Sequence, residues 1–473
     1  MAPLGLHLFI SLCLLLFPFC SFSEETPKIT LSLHHLPVPS HPDPFHYLAA
    51  LANASLLRAR HIRNPQATPK PTWAPIYPHS YGGYSLSLNF GTPPQPIPVL
   101  LDTGSDLTWL PCTKSYSCRK CSSPSNPIPK IPTFFPKYSS SARLLGCRNP
   151  KCSWFHSQDA LASCRNCPSN SSTCPKICPP YIIIYGSGST AGILLSETID
   201  LGDRTVENFT VGCSVYSVKQ PAGGIAGFGR GVVSLPAQLG AKSFSYCLVS
   251  RRFDDAEGKA GSLVIGGEPE GSDSGLRFTP MRKNPYILPG SAASVYYYVD
   301  LKKITVGGKK VKVKKEALIP RKDGSGGTIV DSGTTFTYLD ATLMEAVAAA
   351  FEEAVAGRYN RSVAVEAATG LRPCFGIGLS AAAVLELPEL GFHFKSGAEM
   401  RLPIENYFAI AGDRAAGAAA AACLTLVGGE ADAASGLEPA VILGSFQQQN
   451  YQVVYDLERE RIGFRRQPCL NSS

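Results

Sequence analysis

The strongest constraint on this chain is a pattern that occurs twice. Val99-Leu100-Leu101-Asp102-Thr103-Gly104 is an apolar run ending in an acid, and Thr328-Ile329-Val330-Asp331-Ser332-Gly333 is a second. The branched apolar residues read as buried strands. A carboxylate at the end of such a strand is costly unless something compensates it. Each copy has a matching later segment, Ile225-Ala226-Gly227 for the first and Ile442-Leu443-Gly444 for the second. Gly227 stands 125 residues after Asp102, and Gly444 stands 113 after Asp331. A third triplet, Asp273-Ser274-Gly275, follows Glu270-Gly271-Ser272 and has no apolar strand feeding it. It is discarded. Duplicated β units of this kind imply two lobes related by a pseudo-twofold axis, which would set Asp102 and Asp331 face to face.

At 473 residues the chain is long enough for two or three domains. Its N-terminus has a largely apolar stretch from Leu6 to Cys20 followed by Ser21-Phe22-Ser23. That is the shape of a secretory signal over residues 1–23, and it is short for a membrane span. No lipid-anchor tail closes the sequence. Of 16 cysteines, Cys13 and Cys20 would leave with the signal, and the rest suit an oxidising compartment. Sequons at Asn53, Asn170, Asn208, Asn360 and Asn471 then become candidate glycosylation sites. The formal charge of +8 brings no reading motif for nucleic acid, and the basic residues are taken as scattered. Residues 24–75 hold five of the nine histidines, a Pro-rich run and a basic helix candidate, "FHYLAALANASLLRARHIR". A disordered tail and a propeptide are both open for this segment, and the propeptide is favoured. The linker-like "NPQATPKPTWAP" follows it.

From Tyr81 onward strand patterns dominate: "YSLSLNFG", "PVLLD", the hairpin "YIIIYGSGS", "SVYYYVDLKKITVGG" and "NYQVVYDLERERIGF". One helix is expected from Asp340, its N-cap, to Val355, with Gly357 just beyond the end. Leu343, Val347, Phe351 and Val355 mark its buried face. The Ala-rich run from Ala415 to Ala422 reads as a loop. The expected architecture is all-β and bilobal, with an N-terminal lobe over 76–250, a C-terminal lobe over 251–473 and the site in the cleft between them.

Together, "LLDTGSDLTWL", "YGSGS", "FSYCL", "IVDSGTTFTYL" and "VILGSFQQQNYQVVYDLERERIGF" resemble the pepsin-type aspartic peptidases, in particular their plant nepenthesin-like branch. The resemblance runs from about Tyr81 to Cys469. It implies a secreted acid endopeptidase, made as a zymogen, whose Asp102 and Asp331 share one proton and activate water. It implies no cofactor or metal, polypeptide substrates, the chain's own propeptide as a partner, a monomer, and an extracellular (apoplast or cell wall) or vacuolar location. Thr103 and Ser332 would lock the two Asp loops together. Gly104 and Gly333 would let the backbone approach, and Ser105 and Thr334 would hold the outer carboxylate oxygens. Tyr185, with Gly186 and Ser187, matches the flap, and Trp109 matches the tryptophan that meets the flap tyrosine. By the same resemblance Cys147 pairs with Cys152, Cys374 with Cys423, and Cys247 with Cys469. A zinc reading of Cys118-x-x-Cys121 and Cys164-x-x-Cys167 is weaker than disulfides among so many neighbouring cysteines. Only His79, His156 and His393 lie beyond the N-terminal segment, without an HExxH or a nucleophile elbow. The rival from another class is a binding protein on the same fold, since some plant relatives inhibit glycosidases and lack an intact dyad.

Overall fold

The computed structural model describes residues 29–35, 44–63 and most of 83–469, with gaps at 120, 122–130, 158–159, 166–175, 186–187, 222, 251–259, 268–274, 286–293, 322–324, 378–384, 413–419 and 430–438. The signal-like N-terminus therefore lies outside the described residues, as do Gly186, Ser187, Asn170 and Asn471. No described helix is long and apolar enough to cross a membrane.

The duplicated pattern folds as a duplicated unit. In the first copy the strand Gln95–Asp102 runs parallel to Ile225–Gly227, with Asp102 opposite Gly227, and Ile225 pairs antiparallel with Trp109. In the second, Thr328–Val330 runs parallel to Val441–Leu443, and Ile442 pairs antiparallel with Tyr338. The glycine that ends each later segment has a steric reason. A Cβ on Gly227 would lie 2.1 Å from the Asp106 carbonyl oxygen, and one on Gly444 would lie 2.4 Å from that of Thr335. Both carbonyls belong to the fourth residue after the respective aspartate. The motif is thus a close approach of two backbones, which a side chain would prevent.

A sheet of fifteen strands joins the two halves. Its centre places Tyr451–Asp456 beside Ser243–Cys247, then Ala260–Ile265, then Ile29–His35, then Tyr84–Phe90. The strand Ile29–His35 is therefore an interior strand, with Ile29 and Leu33 buried on one face at the period-two spacing of a strand. The helix Pro44–Arg63 follows. Leu48, Leu51, Ala52, Ala59 and Ile62 form a buried stripe at helical spacing against Tyr296, Tyr298, Phe336 and Tyr338. Burying side chains of this kind contributes roughly 1.5–3 kcal/mol for each large one. Midway along that stripe, Ser55 Oγ accepts from Phe336 N at 2.8 Å and donates to Leu51 O at 2.9 Å. A disordered tail is excluded for these two elements.

The helix Ala341–Val355 forms as its pattern predicts. Asp340 Oδ1 accepts from Leu343 N at 2.8 Å, Leu343, Val347, Phe351 and Val355 are buried, and Gly357 takes φ +78°. The Ala-rich run is not wholly a loop. Ala420–Leu424 is a buried strand between Cys374–Ile377 and Phe408–Ala411. Small side chains suit a position enclosed on both faces, which alternation cannot reveal.

The cysteines pair as disulfides, with one correction. Cys247–Cys469 and Cys374–Cys423 form as expected. Cys147 pairs with Cys164 and Cys152 with Cys178, so the expected Cys147–Cys152 bridge does not exist. The reason is a short antiparallel contact: Cys147 N donates to Lys176 O and Cys178 N to Leu145 O. That contact carries Cys178 to the 3-10 turn Pro150–Trp154, which holds Cys152, while the short helix Ala162–Arg165 presents Cys164 to Cys147. Cys112–Cys213 and Cys118–Cys121 complete six described bridges. Cys118, Cys121 and Cys164 are therefore bonded to sulfur, which leaves the zinc reading no free thiolates at these three positions.

Candidate active site

The two aspartates end their strands fully buried, at 0% exposure each. Their surroundings repeat atom by atom. Asp102 Oδ1 accepts from Gly104 N at 3.0 Å and its Oδ2 from Ser105 Oγ at 2.6 Å. Asp331 Oδ1 accepts from Gly333 N at 3.0 Å and its Oδ2 from Thr334 Oγ1 at 2.6 Å. Between the loops, Thr103 N donates to Ser332 Oγ at 3.1 Å, and Ser332 N donates to Thr103 Oγ1 at 2.9 Å. The same hydroxyls then donate onward, Thr103 Oγ1 to Val330 O and Ser332 Oγ to Leu101 O. Each loop thus holds the backbone of the strand that carries the opposite aspartate.

The glycines bring the carboxylates together. A Cβ on Gly333 would stand 2.3 Å from Asp102 Oδ1, and one on Gly104 would stand 2.7 Å from Asp331 Oδ1. No alanine fits at either position without displacing the partner carboxylate. Desolvation pushes the Asp102 carboxyl above its ordinary range, Arg58 opposes that shift, and the charge of Asp331 adds to it.

Arg58 lies on this pair. Its Nη2 donates to Asp102 Oδ1 at 2.8 Å and its Nε to Asp331 Oδ2 at 3.3 Å, with its side chain only 11% exposed. Burial works against the guanidinium charge, but the two aspartates outweigh it and hold the group more firmly protonated than usual. Among the basic side chains described near this helix end, Arg58 is placed on the carboxylates. The side chains of Arg60, His61 and Arg63 lie outside the described residues.

At the cleft wall, Trp109 Nε1 donates to Tyr185 OH at 2.9 Å, and both rings are buried. Burial, and then the nearby Asp102 charge, raise the Tyr185 phenol, so it keeps its proton. Two further site residues escaped the sequence reading. Tyr296 is buried beside Arg58 and both aspartates. Asp106 lies in a glycine cradle. Its Oδ1 accepts from Gly231 N at 3.0 Å, and Cβ atoms on Gly229 and Gly231 would strike its carboxylate at 2.3 and 1.8 Å. Burial raises Asp106 to about 7, with the Gly231 hydrogen bond opposing and the Asp102 charge adding. The signal available for Asp106 was the Gly-x-Gly-x-Gly run at 227–231, whose partner a sequence does not name.

Two family models cover the chain, one described as xylanase inhibitor N-terminal over residues 84–267 and one as xylanase inhibitor C-terminal over 296–466. A probable aspartyl protease of Arabidopsis thaliana is 34% identical, with 82% of each chain covered. The aspartic proteinase nepenthesin-2 of Nepenthes gracilis is 31% identical over 82% of this chain and 78% of that protein. The chain belongs to the plant pepsin-like aspartic peptidases. The solved structure of basic 7S globulin from soybean superposes on this peptidase with a TM-score of 0.61 at 19% identity, covering 94% of this chain and 98% of that one. The structure titled edgp gives a TM-score of 0.59 at 20% identity, covering 84% and 96%. These likenesses establish the fold of the peptidase, a pepsin-like bilobal β architecture. It is a hydrolase, and its substrates are polypeptides.

Proposed function

We propose that this peptidase cleaves internal peptide bonds in acid with Asp102 and Asp331 as a shared-proton dyad, and that it is secreted as a zymogen in which Arg58 occupies the dyad. The observation that carries the reading is the paired hydrogen-bond geometry around two buried carboxylates, bridged by one guanidinium. Two unit charges about 3 Å apart at an effective dielectric of about 20 repel by roughly 5 kcal/mol, or about four pKa units between the two ionisations. This family's dyad is the established case of such sharing, and the two macroscopic values belong to the pair. With one proton present, the ionised carboxylate takes a proton from water as that water attacks the scissile carbonyl carbon. The protonated carboxyl gives its proton to the carbonyl oxygen, and breakdown of the tetrahedral intermediate returns a proton to the leaving nitrogen. Tyr185, Gly186 and Ser187 would close over the substrate, with Tyr185 fixed by Trp109. Among the candidate glycosylation sites, Asn53, Asn208 and Asn360 are exposed.

Latency follows from charge. With the pair fully ionised, both carboxylates attract Arg58. Protonation of one removes half of the attraction while the guanidinium stays charged, and the helix Pro44–Arg63 is released. Residues 24–75 are then the propeptide, 76–250 the first lobe and 251–473 the second. A second reading, a glycosidase-binding protein, has in its favour the description that the two family models carry. One experiment separates the two. The purified chain, incubated near pH 4, is offered acid-denatured protein, alone, with pepstatin, and as Asp102→Asn and Asp331→Asn variants. Digestion that disappears in all three controls supports the dyad. No digestion by a properly oxidised chain freed of residues 24–75 overturns it in favour of binding.

A further inference from the structure

The sequence reading took the basic residues as scattered, but the structure collects many of them. Seven lysines fall between 302 and 315, and all seven are exposed: Lys302 and Lys303, Lys309 and Lys310, Lys312, Lys314 and Lys315. They come together because Leu301–Val306 turns tightly through Gly307-Gly308 and pairs back on Lys309–Lys310. Val311 N extends the register by donating to Ile304 O at 2.9 Å. Both glycines have positive φ, 56° and 76°, as such a turn requires. Lys302, Lys303, Lys310 and Lys315 line one cavity of about 510 Å³ with His393 and Glu399.

Of the acids nearby, Asp300, Glu399 and Glu353 are engaged, whereas Glu316, beside Lys315, is exposed and makes no ion pair among the described residues. Asp300 holds Arg282 at 2.6 Å, with Lys302 and Lys395 at 3.9 and 4.0 Å. Glu399 holds His393 and Arg401, and Glu353 lies 3.9 Å from Lys309. Among the described residues, Lys303, Lys310, Lys312, Lys314 and Lys315 have no carboxylate within ion-pair distance. Like charges crowded on two adjacent strands repel, which destabilises the fold locally. An external anion relieves that repulsion.

We infer that this face binds an acidic, carboxylate-bearing polysaccharide and tethers the peptidase to it. Three observations select this partner. The cations left without an ion pair are all lysine, point charges that answer the charge of an extended polyanion rather than the planar geometry that arginine's fork matches. Among the described residues no exposed aromatic lies between these lysines on which bases would stack. The six disulfides place the fold in an oxidising compartment, away from nucleic acid. None of these lysines contacts Asp102 or Asp331, and the inference stands whether or not the dyad reading holds.

The test is retention of the full chain on immobilised polygalacturonate, with dextran as the uncharged polymer and short duplex DNA as the competing polyanion. The wild type is expected to bind polygalacturonate at ~0.05 M salt and to elute by ~0.5 M, as screening shortens the reach of the charges. It should pass through dextran and prefer polygalacturonate to DNA. Changing Lys303, Lys310, Lys312 and Lys315 together to Gln should weaken binding at least tenfold. Changing Lys114, Lys137, Lys176 and Lys242 to Gln, an equal loss of charge elsewhere on the surface, should weaken it less than threefold. Melting temperatures of both variants check that they fold. Equal weakening by the two sets, equal retention on dextran, or tighter binding to DNA would each overturn the inference.

Discussion

Asp106 is ionised only at a cost. Its folded value of about 7 stands well above the ordinary 3.8. A carboxyl raised in the folded state is neutral in both states in strong acid, where it costs nothing. It penalises folding progressively as pH rises from about 4 through about 7. Asp106→Asn keeps an oxygen for the Gly231 N–H and removes the charge. The variant is therefore expected to melt with the wild type at pH 3 and above it at pH 8, the gap approaching about 4 kcal/mol. A pH series of melting curves checks this; a gap independent of pH would refute it. Ser105 gives a second test at the same scale. Its hydroxyl stabilises the ionised Asp102, so Ser105→Ala raises the pKa of the dyad's more acidic step. The acid limb of the pH–rate profile should move to higher pH. A profile reduced in height but not displaced would assign Ser105 a packing role alone.

At the scale of elements, the helix Pro44–Arg63 carries both an apolar stripe and the charge that meets the dyad. The two contributions separate by mutation. Arg58→Gln should leave the helix docked through Leu48, Leu51 and Ile62 yet weaken its hold on the carboxylates, so the precursor should become active at a higher pH than the wild type. Cleaving residues 24–75 from the folded chain should abolish pH-dependent latency altogether. Latency retained after that cleavage would remove this segment from the account. Element-level reading from sequence succeeded where one residue type carried one meaning. Asp340 capped its helix, the four-residue spacing of Leu343 to Val355 set the buried face, and the paired Asp-[Thr/Ser]-Gly loops located both carboxylates. It failed where meaning depended on distant neighbours. Ala420–Ala422 became strand because both adjacent strands enclose it. Cys147 chose Cys164 because residues 176–178 fold back between the candidates. Asp106 is cradled by Gly231, 125 residues away, and Tyr296 lies beside Arg58, 238 residues away in sequence. The basic helix was visible, but which of its cations would reach the dyad was not.

For the whole molecule, the fifteen-stranded sheet makes the two lobes one structure. The C-terminal strands Tyr451–Asp456 and Arg461–Arg466 pair beside Ser243–Cys247, and Cys247–Cys469 ties that junction across 222 residues. A link closing so long a loop restricts the unfolded chain strongly. Replacing both cysteines by alanine should lower stability by roughly 3–5 kcal/mol. Denaturant unfolding measures the loss, and a change under about 1 kcal/mol would show that the sheet holds the lobes together without it.

The interior position of Ile29–His35 bears on how the molecule comes into being. This strand leaves the ribosome more than two hundred residues before its main partner, Ala260–Ile265. It must wait for that partner, and the sheet then closes around it. Cleavage at the end of the 24–75 segment would withdraw from the finished sheet a strand that took part in its assembly. The mature peptidase would be a product without its mould, unable to retrace its own folding route. Its working life would be set by how slowly it unfolds rather than by how favourably it folds.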